Sequence, residues 1–158
     1  MKLYHGTYTD FTQIDLSLSQ KGKDFGKGFY LSDNYDQAYN MAVFKSIQFN
    51  GNPIVLQYEF DESLLYDGEL SFSKYEEYSR EWAEFVLKNR VNMSDVNIHT
   101  YDVVYGPIAN DKVGVQIRNL IEQNIDMDIF LKRLKYMQGI TFQYFFGTEK
   151  AISRLVRV

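Results

Sequence analysis

Two short segments near the start of the chain constrain its fold most. Lys2 to Gly6, within Lys2-Leu3-Tyr4-His5-Gly6-Thr7, reads as a strand. Asp24-Phe25-Gly26-Lys27-Gly28-Phe29-Tyr30-Leu31-Ser32 reads as a glycine-hinged loop that enters a second strand at Gly28 to Leu31. A helical stretch follows directly, from Asp33 to Phe44, capped by Ser32 or Asp33 and carrying Ala38 and Ala42. The two strands and the helix therefore meet within the first third of the chain, with the loops that could carry chemistry lying between the strands.

The remaining sequence alternates sheet and helix. Pro53-Ile54-Val55-Leu56-Gln57-Tyr58-Glu59-Phe60 has the alternation of a half-buried strand. Lys74 to Asn89, with Tyr78, Trp82, Phe85 and Val86 at helical spacing, predicts an amphipathic helix. Tyr101 to Gly106 predicts a short buried strand, and Val113 to Gln123 and Asp128 to Met137 predict helices. Thr141-Phe142-Gln143-Tyr144-Phe145-Phe146 opens an aromatic strand, and Leu155 to Val158 closes the chain as another. The expected class is α+β. Only two prolines, ten scattered glycines and no repeat or low-complexity tract predict a single domain over residues 1–158.

Composition narrows the chemistry. There is no cysteine, which removes disulfides, thiolate nucleophiles and Cys-type metal sites; the two histidines, His5 and His99, leave little for zinc. A metal-independent, cytoplasmic protein is expected, because Met1-Lys2-Leu3-Tyr4-His5 lacks an apolar signal core and no apolar run reaches the roughly 20 residues needed to span a bilayer. Thirteen tyrosines and twelve phenylalanines exceed what a core needs, so some rings are expected to line a groove or partner surface. The net charge of −4 is uneven: residues 132–158 carry +5, leaving −9 elsewhere. That basic segment reads either as solvated flanks of the last helix and strand or as a face for nucleic acid or an acidic partner. Gly22, Gly26 and Gly28 do not make a dinucleotide-fold glycine turn, and no phosphate-loop or Ser-His-Asp pattern is present.

Tyr4-His5-Gly6-Thr7, the Asp24–Tyr30 loop and the aromatic strand after Thr141 together resemble the nicotinamide-pocket signature of ADP-ribosyltransferases of the diphtheria-toxin and poly(ADP-ribose)-polymerase type. Those enzymes use a triad of His, Tyr and a third, usually acidic, residue; His5, Tyr30 and Gln143 match it in order. With Asp102-Val103-Val104-Tyr105-Gly106-Pro107-Ile108-Ala109 and Gln143 through Ala151 included, the chain is similar over nearly its whole length to the bacterial domain of unknown function numbered 3990. The resemblance implies a split two-sheet fold with NAD in a cleft between the sheets. It also implies a toxin-like role beside a small neutralising antitoxin, with a protein or nucleic acid as acceptor.

Cleaving the ribose–nicotinamide bond passes through an oxocarbenium-like state, so such a site must orient the sugar, hold the leaving base and stabilise positive charge. On this reading the His5 imidazole bonds a ribose hydroxyl, Gly6 lets backbone groups approach the nicotinamide amide, and Tyr30 gives the base a stacking surface. Gln143 stands near the sugar 2′-hydroxyl. Glu149 is the alternative third residue, disfavoured because Gly147-Thr148-Glu149-Lys150 reads as a helix start. Thr7 joins Gly6 in the cofactor site; of Lys21, Lys23 and Lys27, one or more, with Lys27 foremost, is expected to face the pyrophosphate, a solvated loop accounting for at least two of them.

Two departures from the pattern bear on activity. Gln143 brings no negative charge where polymerases carry Glu, which favours transfer of a single ADP-ribose over chain elongation. Ala38 falls where a serine often binds the nicotinamide amide, and Met41 where a second aromatic stacks, with Tyr39 two residues before it able to compensate by a local shift. The rival reading is a non-catalytic module that binds NAD, ADP-ribose or a peptide.

Overall fold

The computed structural model describes residues 1–158 and is a mixed α+β structure of two sheets and five helices. Its strands are β1 (Lys2–Thr7), β2 (Phe29–Leu31), β3 (Ile54–Glu59), β4 (Phe72–Lys74), β5 (Val103–Pro107), β6 (Phe142–Phe146) and β7 (Val156–Arg157). The helices are α1 (Tyr35–Gln48), α2 (Arg80–Val91), α3 (Asp111–Ile121), α4 (Met127–Leu134) and α5 (Glu149–Ile152). One sheet has the order β1-β3-β7 and the other β2-β6-β5-β4. No helix is long and apolar enough to cross a membrane.

Strand alternation sends side chains into two cores. Leu3, Leu56 and Tyr58 of the first sheet meet Phe29, Leu31, Val103, Tyr144 and Phe146 of the second in a core between the sheets. On the far face of the second sheet, Val104 and Phe145 pack under Trp82, Val86, Val113, Ile117 and Phe130 from α2, α3 and α4. Val103, Val104, Phe145 and Phe146 are all fully buried, so β5 and β6 are covered on both faces and read as unbroken apolar runs. Burial of each such side chain contributes ~1.5–3 kcal/mol.

Helix α1 lies on the outer face of the first sheet, where the absence of a side chain at Gly6 admits it. A Cβ built on Gly6 would lie 2.0 Å from the Ala38 carbonyl oxygen and 2.8 Å from the Ala42 nitrogen. The helix begins at Tyr35, later than the expected Asp33, because Asn34 is its cap: the Asn34 side chain accepts from the Gln37 N–H. Ser32 serves the sheet instead, its backbone bridging to Tyr4.

The largest difference from the sequence-based expectation lies at residues 72–79. Phe72-Ser73-Lys74 form a strand parallel to β5, and the Tyr75 N–H donates to the Tyr105 carbonyl at 2.8 Å. The helix therefore starts only at Arg80, where Ser79 accepts from the Trp82 N–H. A three-residue strand is too short to show a period, and the tertiary ladder with β5 overrides the helical pattern that Tyr78 extends backwards.

The basic C-terminal segment is partly neutralised within the fold. Arg154 pairs with Glu69 at 2.6 Å, Arg157 pairs with Asp10 at 2.9 Å, and Arg133 bonds the Gln116 side chain. Acids from the rest of the chain thus meet two of the arginines of this segment.

Candidate active site

The site forms where β1 and β2 part. The Tyr4 N–H donates to the Ser32 carbonyl at 2.7 Å, and the Ser32 N–H donates back to Tyr4 at 2.8 Å. The ladder stops there. One residue on, the Tyr30 carbonyl lies 2.7 Å from His5 Nδ1 instead of bonding a backbone N–H of β1. In an antiparallel strand, peptide groups alternate sides. Because those of Tyr4 face β2, those of Gly6, two residues on, also turn toward the parting and away from their register neighbour Val55 on β3. The Gly6 carbonyl accepts from Lys45 Nζ at 2.8 Å, and its N–H meets no acceptor from β2 or from any side chain.

His5 fills the wedge between the strands, its ring stacked on Phe29 at 4.3 Å between centroids with Phe11 on its edge. A carbonyl can only accept, so Nδ1 carries the hydrogen and Nε2 presents a lone pair. Burial pushes the imidazole down to about 3, with Lys45 and Lys23 adding repulsion and the bond to Tyr30 opposing them. His5 is therefore a neutral acceptor across the physiological range, suited to a hydroxyl donor.

A stability prediction follows from that shift. An unfolded imidazole takes up a proton near pH 6.5, and the folded one refuses it until about pH 3. The unfolded state binds more protons in this window, so the His5 contribution to stability is constant above it and falls as the pH drops from 6.5 toward 3, by ~1.4 kcal/mol per unit at most. His99, lowered by its own burial, acts in the same direction. Urea midpoints of wild type and His5→Gln at pH 7 and pH 4.5 should therefore converge on acidification; parallel curves would remove His5 as the source.

Lys45 and Lys23 are the charged groups of the gap. Burial, then the proximity of Lys23, brings Lys45 down to about 8, and burial lowers Lys23 against the opposing pull of Asp24. Lys23 lies over the Tyr30 ring, its ammonium 5.2 Å from the centroid. Neither lysine has a carboxylate within salt-bridge distance. By contrast Lys27 lies 3.6 Å and Lys21 3.1 Å from Asp95, so of the three loop lysines it is Lys23 that reaches the gap.

Tyr30 holds the loop that precedes it. Its hydroxyl donates to the Gly26 carbonyl at 2.7 Å and accepts from the Phe25 N–H at 3.0 Å, closing a turn in which Gly26 has φ +95°. The ring is flanked by Phe25 and Phe145 as well as by Lys23, which leaves it little free face for a base. Asn97 braces the same loop with two bonds of 2.8 Å to the Lys27 backbone.

Gln143 stands on β6 two residues before Phe145 and thus on the same sheet face as Tyr30, whose register partner is Phe145. Its Nε2 lies 3.4 Å from Asp24 Oδ2, and Asp24 Oδ1 is 2.7 Å from Arg90 Nε. Glu149 lies past the other end of β6, exposed in the first turn of α5, where Thr148 caps the helix and bonds Asp102. On α1, Gln37 reaches the Phe142 carbonyl at 3.0 Å and Lys45 reaches Gly6, so the flank bearing Gln37, Met41 and Lys45 turns toward the parting. Tyr39 lies on the opposite flank, stacked on Tyr35, while Ala38 is buried beneath the helix. Thr7 is buried, its hydroxyl accepting from the Thr9 N–H.

The structure thus gathers His5, Gly6, Lys23, Lys45 and, on the α1 flank, Met41 at the parting, with Tyr30 behind the loop and Gln143 across the sheet face. Sequence reading missed Lys45 and Asp24. The signal for Lys45 was present, since residues 38, 41 and 45 share a helical stripe. Two open surface grooves, of 620 and 580 Å³, contain none of His5, Gly6 or Tyr30; the second touches Asp24 through Arg90 and Ala109. The chemistry-bearing groups lie at the strand parting, which is why it is the candidate site. A family model described as "Protein of unknown function (DUF3990)" matches residues 1–156. No curated protein and no solved structure matches the chain.

Proposed function

This chain belongs to the DUF3990 family, and we propose that it is an NAD-dependent mono-ADP-ribosyltransferase with its site at the parting of β1 and β2. The observation that carries this reading is the convergence there of a neutral imidazole, a glycine N–H without an acceptor and two ammonium groups with no carboxylate in salt-bridge contact. Like charges crowded in a desolvated gap are unfavourable unless an anion joins them, and a pyrophosphate brings two negative charges. The residues fit a dinucleotide in this way. Lys23 and Lys45 would hold the pyrophosphate, the Gly6 N–H would donate to the nicotinamide amide, and His5 Nε2 would accept from a ribose hydroxyl.

In the transfer, the bond between nicotinamide and the ribose anomeric carbon breaks with its electron pair leaving on the nicotinamide nitrogen. A lone pair of the acceptor forms the new bond to that carbon, and the acceptor's proton passes to solvent. Gln143 would accept from a hydroxyl of the sugar on which the oxocarbenium develops without bringing a charge, which suits single transfer. The split two-sheet transferase fold and a toxin role beside an antitoxin belong to this same reading.

The test is purified protein incubated with NAD radiolabelled in the adenylate and with lysate separated into protein, RNA and DNA, with His5→Ala alongside. Label in one fraction from wild type only, with stoichiometric nicotinamide release, is expected and names the acceptor class. The covered ring of Tyr30 favours one rival, a module that binds NAD without cleaving it. Binding by calorimetry with no nicotinamide released over hours would establish that rival instead.

A further inference from the structure

The third site residue lacks a charge of its own, yet a carboxylate stands behind it. Asp24 is nearly buried, its side chain 11% exposed, and is held at three points. Oδ1 pairs with Arg90 Nε at 2.7 Å; Oδ2 accepts from the Ala109 N–H and from Gln143 Nε2, both at 3.4 Å. Arg90 comes from the end of α2, Ala109 from the turn before α3 and Gln143 from β6, so three elements of the second core fix one carboxylate.

We infer that Asp24 is a positioning residue that fixes the polarity of Gln143. A carboxylate paired with a guanidinium offers only acceptors, so only the NH₂ end of the Gln143 amide can face it. The amide is planar, and its Oε1 is thereby turned away from Asp24. That oxygen makes no hydrogen bond within the protein. The result is an acceptor free of the protein and turned away from the carboxylate, the polarity a donating sugar hydroxyl requires. The assignment of that hydroxyl to NAD rests on the transferase reading; the orientation of the amide does not.

The same geometry explains why glutamine stands here. A glutamate at 143 would put two carboxylates about 3.4 Å apart, and both could not ionise without strong repulsion. In Asp24→Asn, Arg90 retains the Oδ1 acceptor, so the new amide nitrogen faces residue 143 and also the Ala109 N–H, whose long 3.4 Å contact is lost in the single and the double variant alike. Gln143 then turns its Oε1 inward and presents a donor to the substrate. In the double variant Asp24→Asn/Gln143→Glu, the NH₂ group introduced at position 24 bonds one glutamate oxygen, and the other again faces outward as an acceptor.

The experiment measures steady-state NAD cleavage and side-chain amide NMR for wild type and the three near-isosteric variants, with unfolding midpoints confirming that each is folded. Asp24→Asn and Gln143→Glu should each lower kcat by ~10- to 100-fold with KM for NAD within about threefold, since a misplaced group costs chemistry more than binding. The double variant should regain at least about tenfold over either single. A carboxylate that only supports the loop would leave the double variant no better than Asp24→Asn, and this outcome overturns the inference. The NMR arm needs no NAD: the Gln143 NH₂ pair, assigned by its loss in Gln143→Glu, should shift in Asp24→Asn. An unmoved pair overturns the orientation whatever the enzyme does. If wild type neither binds nor cleaves NAD, the transferase reading falls while the amide signal still decides whether Asp24 holds Gln143.

Discussion

Gly6→Ala is expected to leave little folded protein. The added methyl would lie 2.0 Å from the Ala38 carbonyl oxygen and 2.8 Å from the Ala42 nitrogen, both backbone atoms in the middle of α1. A side chain could swing aside, but a helix backbone in contact with a strand moves only as a body, and α1 is also tied to the second sheet through Gln37 and to β1 through Lys45. Overpacking at such a point costs ~3 kcal/mol or more, a large share of the total stability of a domain. The measurement is the soluble yield and urea midpoint, with Gly114→Ala as the control. Gly114 lies inside α3 with no heavy atom within 4 Å of an added Cβ, so the same substitution there should raise stability by ~0.5–1 kcal/mol. Near-wild-type stability for Gly6→Ala would mean that α1 does not sit on β1 as described. The consequence reaches function, because this close approach is also what brings Lys45 to the Gly6 carbonyl.

On the proposal that the strand parting holds the pyrophosphate of NAD, Lys45→Met is expected to weaken NAD binding by ~10- to 100-fold, the loss of one charge-assisted contact in a desolvated gap. Its pH dependence is the sharper signature. Only the ammonium form attracts a pyrophosphate, and burial together with Lys23 holds Lys45 at about 8. Wild-type affinity should therefore fall as the pH rises through 8, by up to about tenfold per unit, and the fall should be absent in Lys45→Met. Lys23→Met should also weaken binding while raising the unfolding midpoint, because the Lys23 ammonium has no ion pair or hydrogen bond to lose and a methionine can lie on the Tyr30 ring. Calorimetric titrations with NAD from pH 6.5 to 9.5 and thermal melts of the three proteins provide the measurements. Unchanged affinity in both variants would put the pyrophosphate elsewhere. Opposite signs for function and stability at Lys23 mark a group retained for a ligand, not for the fold.

Much of the fold was legible because it is written in local periods. The alternation in Pro53–Phe60, the aromatic run after Thr141 and the helical spacing after Ser32 each recur in the structure within a few residues at their ends. The Thr148 cap was visible as a helix-start pattern, and its place beyond β6 is why Glu149 lies far along the strand from Gln143. His5, Gly6 and Tyr30 were found by their order and their glycine neighbours, and all three lie at or beside the parting of the strands. Short elements were the failures: a three-residue strand carries too little pattern, and its partner β5 lies some thirty residues away in sequence.

The sequence alone determined the α+β class, the order of most elements and, among the residues at or beside the strand parting, His5, Gly6 and Tyr30, since periodicity, caps and glycines act over a few residues. Only the tertiary structure decided what those residues face. Tyr30 is turned into its own loop, Lys45 reaches across to Gly6, and Lys23 rather than Lys27 enters the gap. Arg90 and Gln143 meet Asp24 from positions 66 and 119 residues away. Such contacts depend on the path of a loop, and a loop's path is set by packing against distant elements whose relative placement no local pattern encodes.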